Sequence, residues 1–228
     1  MAEVVHKGGD ETGESVKLFL SVPSNRPWEP RFGTSFADLL VRLTSEGIKD
    51  PGYKLESFRY QVLRQVSNLP NGRQHFVDDM IANNFTHWLS LDDDMTFPMD
   101  IVDRLISHGK DVVSCNAMRK DGTVDGSCQG MDGKPIDSTG KTGLQELRTM
   151  GGAIFLARIG AFKHIPKPHF QMIWSPAHNS YLGEDVYFST ILKMSGVGLY
   201  ADHDTSQLIS HIGSWEYQWS KQKDVVTA

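Results

Sequence analysis

Largely apolar runs alternate along the chain with segments whose apolar residues recur at helical spacing. Residues 16–22 (VKLFLSV) form such a run, stopped by Pro23, and read as a buried strand. Three prolines from Pro23 to Pro30 then predict a loop through Gly33, and Phe36, Leu39, Leu40 and Leu43 predict a helix after it. Asp50-Pro51-Gly52 supplies turn chemistry to a loop over residues 47–53. A second helical face carries Phe76, Val77, Met80 and Ile81 and stops at Asn83-Asn84. Residues 86–91 (THWLSL) predict a strand that runs straight into Asp92-Asp93-Asp94. Pro98 suits the first turn of a helix with Ile101, Val102, Leu105 and Ile106 inward and Gly109 as its cap; residues 111–115 are again a strand.

Residues 119–143 are rich in Gly, Asp and Lys with little apolar periodicity, which predicts a long loop or an irregular hairpin. Gly151-Gly152 leads into a strand over 153–157 and a short helix through Phe162. Residues 184–194 (EDVYFSTILKM) predict a helix with Val186, Phe188, Ile191 and Leu192 inward, and residues 198–201 and 208–209 predict short strands. Alternating strands and helices point to an α/β fold, a mostly parallel sheet with helices on its faces.

At 228 residues the chain is one large α/β domain or two small ones. Its 39% hydrophobic and 22% charged residues exclude a disordered chain, and its size needs no disulfide or metal staple. The net charge of −5 gives no generic attraction to nucleic acid or anionic lipid, though it leaves room for a local basic groove. No apolar stretch approaches the roughly 18 residues of a membrane span. Two cysteines, Cys115 and Cys128, are too few for a secreted disulfide scaffold. Residues 1–15 are polar and Gly-rich and read as a flexible leader without a signal-peptide core, so the cytoplasm is the expected compartment. Oligomeric state is not legible.

Three consecutive carboxylates at the tip of a buried strand repel one another, and a divalent cation removes that cost. Oxygen ligands suit Mg²⁺ or Mn²⁺, and the carboxyl ends of strands are where open α/β sheets bind ligands. Such a cluster is also compatible with a helix cap or a solvated turn.

The segment Leu89-Ser90-Leu91-Asp92-Asp93-Asp94-Met95, followed by Phe97-Pro98 and a helix, resembles the DxD segment of GT-A glycosyltransferases. The resemblance runs over residues 16–213 and implies a GT-A-like, Rossmann-type mixed sheet. It divides the domain into a nucleotide-sugar-binding half (16–116) and an acceptor-binding, catalytic half (117–213), with a tail at 214–228. It implies Asp94 as ligand of Mn²⁺ or Mg²⁺, Asp92 as the nucleoside-side contact and Asp93 as a sugar or supporting contact. Val22, Pro23 and Ser24, ending the first strand, fall where the family contacts the nucleobase, and Arg73 where a basic residue approaches the nucleotide. Gly151-Gly152 is similar to the small-residue strand bordering the donor sugar. Glu184-Asp185 opens a helix like the family's ED motif, which implies catalytic carboxylates with Asp185 as base in an inverting reaction. His211 resembles the late histidine that completes the metal site.

The implied activity transfers a sugar from a nucleotide-diphosphate donor, a UDP-sugar being the commonest expectation, to an acceptor hydroxyl. The acceptor stays open: a glycan, a small molecule, or a modified base in phage DNA. Arg26, Arg31, Arg119, Lys120 and Lys134 fall in loops that could line a groove for the last. Trp174 and His178 are candidates for an acceptor contact, and Trp215–Trp219 aromatics more often pack. Two rival readings fit the same letters. Asp92-Asp93-Asp94-Met95-Thr96 also matches the D-x-D-x-T loop of haloacid-dehalogenase-type phosphatases, with Asp92 as nucleophile and Asp94 as acid/base. A non-catalytic nucleotide-sugar or carbohydrate-binding module would keep binding without turnover.

Overall fold

The structure, a computed structural model, describes residues 3–5, 13–64, 67–120, 125–163, 165–213 and 216–219. Its elements begin with β1 (Glu3–Val5), β2 (Glu14–Ser24), α1 (Pro30–Glu46), β3 (Tyr53–Arg64), α2 (Leu69–Ala82), β4 (His87–Leu91), β5 (Met95–Thr96) and α3 (Ile101–Ile106). There follow β6 (Val112–Ser114), β7 (Gln129–Gly130), β8 (Leu144–Thr149), β9 (Ile154–Arg158) and a 3₁₀ turn at Ile159–Phe162. The chain continues through β10 (Ile173–Ser175), β11 (Ser180–Leu182), α4 (Glu184–Met194), β12 (Leu199–Asp202), α5 (His203–Ser206), β13 (Ser210–Ile212) and β14 (Glu216–Tyr217).

The central sheet has nine strands in the order β1-β3-β2-β4-β9-β6-β12-β8-β7. β3, β2 and β4 are parallel neighbours, as are β6 and β12, while β9 is inserted antiparallel between β4 and β6. β2, β3, β4, β6, β12 and β7 therefore run one way, and β1, β9 and β8 the other. This is the mixed, mostly parallel α/β sheet that the alternation of elements predicts.

Side chains of a strand alternate between faces, and β2 buries both. Val16, Leu18, Leu20 and Val22 enter one apolar cluster with Phe32, Phe36 and Leu39 of α1 and Ile101 and Leu105 of α3. Phe19 points into the opposite cluster, with Phe76, Val77 and Met80 of α2 and Phe188 and Leu192 of α4.

Several local expectations are corrected. α1 begins at Pro30 rather than after Gly33, because a proline in the first helical turn loses no needed hydrogen bond. Ile81 is exposed, and Val186 and Ile191 are only half-buried. The strand expected at residues 208–209 lies at Ser210–Ile212; Leu208 is an exposed turn residue. Glu3–Val5 pairs with β3 and β2 starts at Glu14, so both ends of the expected leader are strand; residues 6–12 lie outside the described residues. In the expected tail, β14 pairs with β13, and Trp219 is buried with its indole N–H donating to the Asn116 carbonyl at 2.7 Å. Trp215 lies outside the described residues. Among the described residues no helix is long and apolar enough to cross a membrane.

Candidate active site

The chain leaves β4 at Leu91, and the next amide, of Asp92, still donates to the Ala153 carbonyl at 2.8 Å. It then turns into β5, which belongs to a separate three-stranded sheet with β13 and β14. In that sheet His211 lies opposite Met95, and the Ile212 amide donates to the Asp94 carbonyl at 2.7 Å. Backbone pairing therefore delivers the late histidine to the acidic triplet.

The three carboxylates take three different environments. Asp94 Oδ2 accepts from Arg26 Nη2 at 2.8 Å and Lys120 Nζ at 2.5 Å, and its Oδ1 faces His211 Nε2 at 3.5 Å. Burial opposes its ionisation, but His211 and Lys120 outweigh that and hold it well below the usual carboxylate range. The His211 ring is oriented from behind. Its Nδ1 is 2.7 Å from the Met118 carbonyl, which can only accept, so Nδ1 donates there and Nε2 is turned towards Asp94. Asp93 is buried and accepts from the Ser24 hydroxyl at 2.7 Å, tying the triplet to the end of β2.

Asp92 rests on Arg73. Arg73 is 1% exposed; its Nη2 donates to Asp92 Oδ1 and to the Gly152 carbonyl, both at 3.0 Å, and its Nη1 lies 3.7 Å from Glu184 Oε1. Burial disfavours the guanidinium charge, yet Asp92, Glu184 and Asp185 together raise its pKa above the ordinary value. Asp92 moves the other way: burial pushes its carboxyl up to about 7, with Asp94 and Glu184 adding to the shift and Arg73 opposing it. The Asp92 side chain is 29% exposed, so it still meets solvent. A Cβ at Gly152 would collide with the Arg73 guanidinium, which explains a glycine there. Gly151 sits against Ser127 rather than against the triplet.

Asp185 lies in the first turn of α4 and accepts its neighbour Val186's amide at Oδ1 (2.8 Å). The cleft beside the triplet, about 250 Å³, is lined by Pro23, Ser24, Asn25, Arg26, Leu69 and the three aspartates. A second of about 690 Å³ shares Ser24, Asn25 and Arg26 and extends to Trp28 and Arg64.

The structure thus gathers Ser24, Arg73, all three aspartates, Gly152, Glu184 and His211. Two expectations need correcting. Val22 is fully buried in the apolar cluster and does not line the cleft, because the strand's alternation turns it into the core. Arg73, expected to approach the nucleotide, is buried and donates to Asp92 instead. Arg26 and Lys120, read as groove-lining cations, converge on Asp94; their signal was only that each falls in a loop. The Met118 carbonyl left no signal at all. Among the described residues no third metal-ligating side chain joins Asp94 and His211.

No protein-family model matches the chain, and no curated protein matches it either. Solved structures do. A197 from STIV shares 17% identity with a TM-score of 0.60, over 87% of this chain and 86% of that one. GalNAc-T7, crystallised with UDP, GalNAc and Mn²⁺, shares 12% identity with a TM-score of 0.53; the match spans 87% of this chain but 43% of that one. Staphylococcus aureus TarS, in complex with UDP-GlcNAc, is similar at a TM-score of 0.48, with 12% identity over 90% of this chain and 61% of that chain. At these identities the likeness is one of fold. The chain has a GT-A-like α/β fold.

Proposed function

We propose that this protein is a metal-dependent glycosyltransferase that moves a sugar from a nucleotide-diphosphate donor, a UDP-sugar, to an acceptor hydroxyl. The observation that carries this reading is the convergence of Asp94 and His211, brought together by β5 and β13. The donor set, one carboxylate oxygen and one imidazole nitrogen, fits Mn²⁺ better than Mg²⁺, which prefers oxygen throughout. Asp94 and His211 would hold the ion; bound there, it supplies charge that stabilises the departing diphosphate. UDP and Mn²⁺ in the fold neighbour GalNAc-T7 support the same chemistry.

The chain's own residues carry the remaining work. Ser24 and Asp92 border the cleft where the nucleoside lies, and Arg26 and Lys120 present cations to the diphosphate oxygens. Arg73 holds Asp92 and Glu184 in place, and Gly152 leaves space for it. In an inverting transfer Asp185 accepts the acceptor's hydroxyl proton as the acceptor oxygen bonds to the sugar carbon and the nucleoside diphosphate leaves. In a retaining transfer it positions the acceptor instead. A phosphatase would need Asp92 as a free nucleophile, whereas Arg73 engages it, so the transferase is the better reading.

The test is a thermal-shift screen of UDP-, GDP-, CMP- and dTDP-linked sugars with and without Mn²⁺. A ligand that binds the folded state raises Tm by mass action. Metal-dependent stabilisation by UDP-sugars is expected; no response to any nucleotide sinks the reading.

A further inference from the structure

β10 and β11 form a two-stranded hairpin of their own, with Trp174 directly opposite Tyr181. Trp174 is 50% exposed and Tyr181 62%, with ring centroids 5.3 Å apart at 74°. Among the described residues the other strongly exposed large apolar side chains are aliphatic. Core packing does not account for this pair: no residue of either strand is buried.

Both ends of the hairpin are anchored at the same buried cation. Before it, Phe170 is buried against Trp88 and Phe188, with the Arg73 guanidinium 6.0 Å from its ring centre. After it, Leu182 passes through Gly183 into Glu184, which Arg73 also faces, and Asp185. The hairpin therefore starts and ends beside the residues that Arg73 holds, Tyr181 standing four residues before the proposed base Asp185.

The chemistry of the segment selects its occupant. From Pro168 to Gly183 there is no Asp, Glu, Lys or Arg. Besides the rings it offers the hydroxyls and amides of Gln171, Ser175, Asn179 and Ser180 and the His178 imidazole. A nucleic-acid strand requires cations along its path, and none stands here. An acidic glycan requires them too. A neutral pyranose needs a flat apolar surface for its C–H face and uncharged donors and acceptors for its hydroxyls, and the hairpin has both. Resting on the transferase reading, we infer that the Trp174–Tyr181 hairpin is the acceptor platform and that the acceptor is a neutral carbohydrate.

The experiment is a glycan array bearing neutral and sialylated glycans, with oligothymidylate spots alongside, probed with the unaltered protein and with Trp174→Ala, Tyr181→Ala and Trp174→Phe. Both aromatics are exposed, so the variants are expected to fold, and circular dichroism checks this. Retention of neutral glycans is expected, weakened about five- to tenfold by either alanine and largely restored by phenylalanine. Retention of no glycan, of sialylated glycans or oligothymidylate alone, or retention unchanged in both alanine variants overturns the assignment. The nucleotide thermal shift separates the two ideas. A protein that responds to nucleotide but retains no neutral glycan loses only the acceptor platform. One that retains glycan but responds to no nucleotide loses the transferase reading.

Discussion

His211 Nε2 lies 3.5 Å from Asp94 Oδ1, although the two residues come from opposite halves of the chain. The imidazole is held in that pose by the Met118 carbonyl, so under the proposed function the pair would meet an ion as a prearranged two-point ligand. Asp94→Asn and His211→Ala are each expected to weaken Mn²⁺ binding by at least about 10–100-fold, read by calorimetric titration. Unchanged Mn²⁺ affinity in both would remove the metal from this site.

Arg73 joins the acidic triplet, the glycine pair and the helix-opening carboxylates through one guanidinium. Its loss leaves Asp92 and Glu184 without their buried counter-charge. Arg73→Met is expected to destabilise the fold by about 3–5 kcal/mol in urea titrations. Gly152→Ala, which drives a methyl group into the same guanidinium, should cost about 1–3 kcal/mol. A neutral result for Arg73→Met would mean that the guanidinium is not a supporting element.

His87 gives the protein a pH dependence remote from the cleft. It is buried at the start of β4, and burial holds its imidazole down to about 4, with Arg158 adding to the effect and Glu14 opposing it. The unfolded imidazole titrates near 6.5, so the unfolded state binds more protons between these values. The contribution of His87 is therefore complete above about pH 6.5 and lost as the pH falls towards 4, by up to about 3 kcal/mol. Urea midpoints at pH 7.5 and 5 should converge in His87→Phe relative to the unaltered protein. An identical pH slope in both would show that His87 is not the group responsible.

Trp219 makes residues near the chain's end part of the core. Its ring is buried and its N–H satisfies the Asn116 carbonyl. Trp219→Ala is expected to cost about 3–5 kcal/mol, measured by chemical denaturation. A change below about 1 kcal/mol would return this residue to the status of an appendage.

What was legible in the sequence follows from burial. β2, β4 and β9 are buried nearly throughout and announce themselves as apolar runs. β3 and β8 do not, because YKLESFRYQVLR and LQELRT interleave charged side chains with apolar ones and each is only partly covered. At the site, the acidic triplet, Glu184-Asp185 and His211 were visible as chemistry at element ends. Their partners were not. That Arg26 and Lys120 reach the same oxygen, or that a methionine carbonyl orients an imidazole, depends on how distant loops close in space. Arg73 was visible as a cation, but its depth follows from α2 packing over β2, which no local pattern encodes.

The small sheet joining β5 to β13 also fixes when the site can exist. During synthesis the acidic triplet emerges long before the strand that brings its imidazole, so the growing chain displays an unfinished acidic corner. Only when β13 zips onto β5 does that corner gain its second donor. The meeting of Asp94 and His211 is therefore a by-product of the β5–β13 ladder.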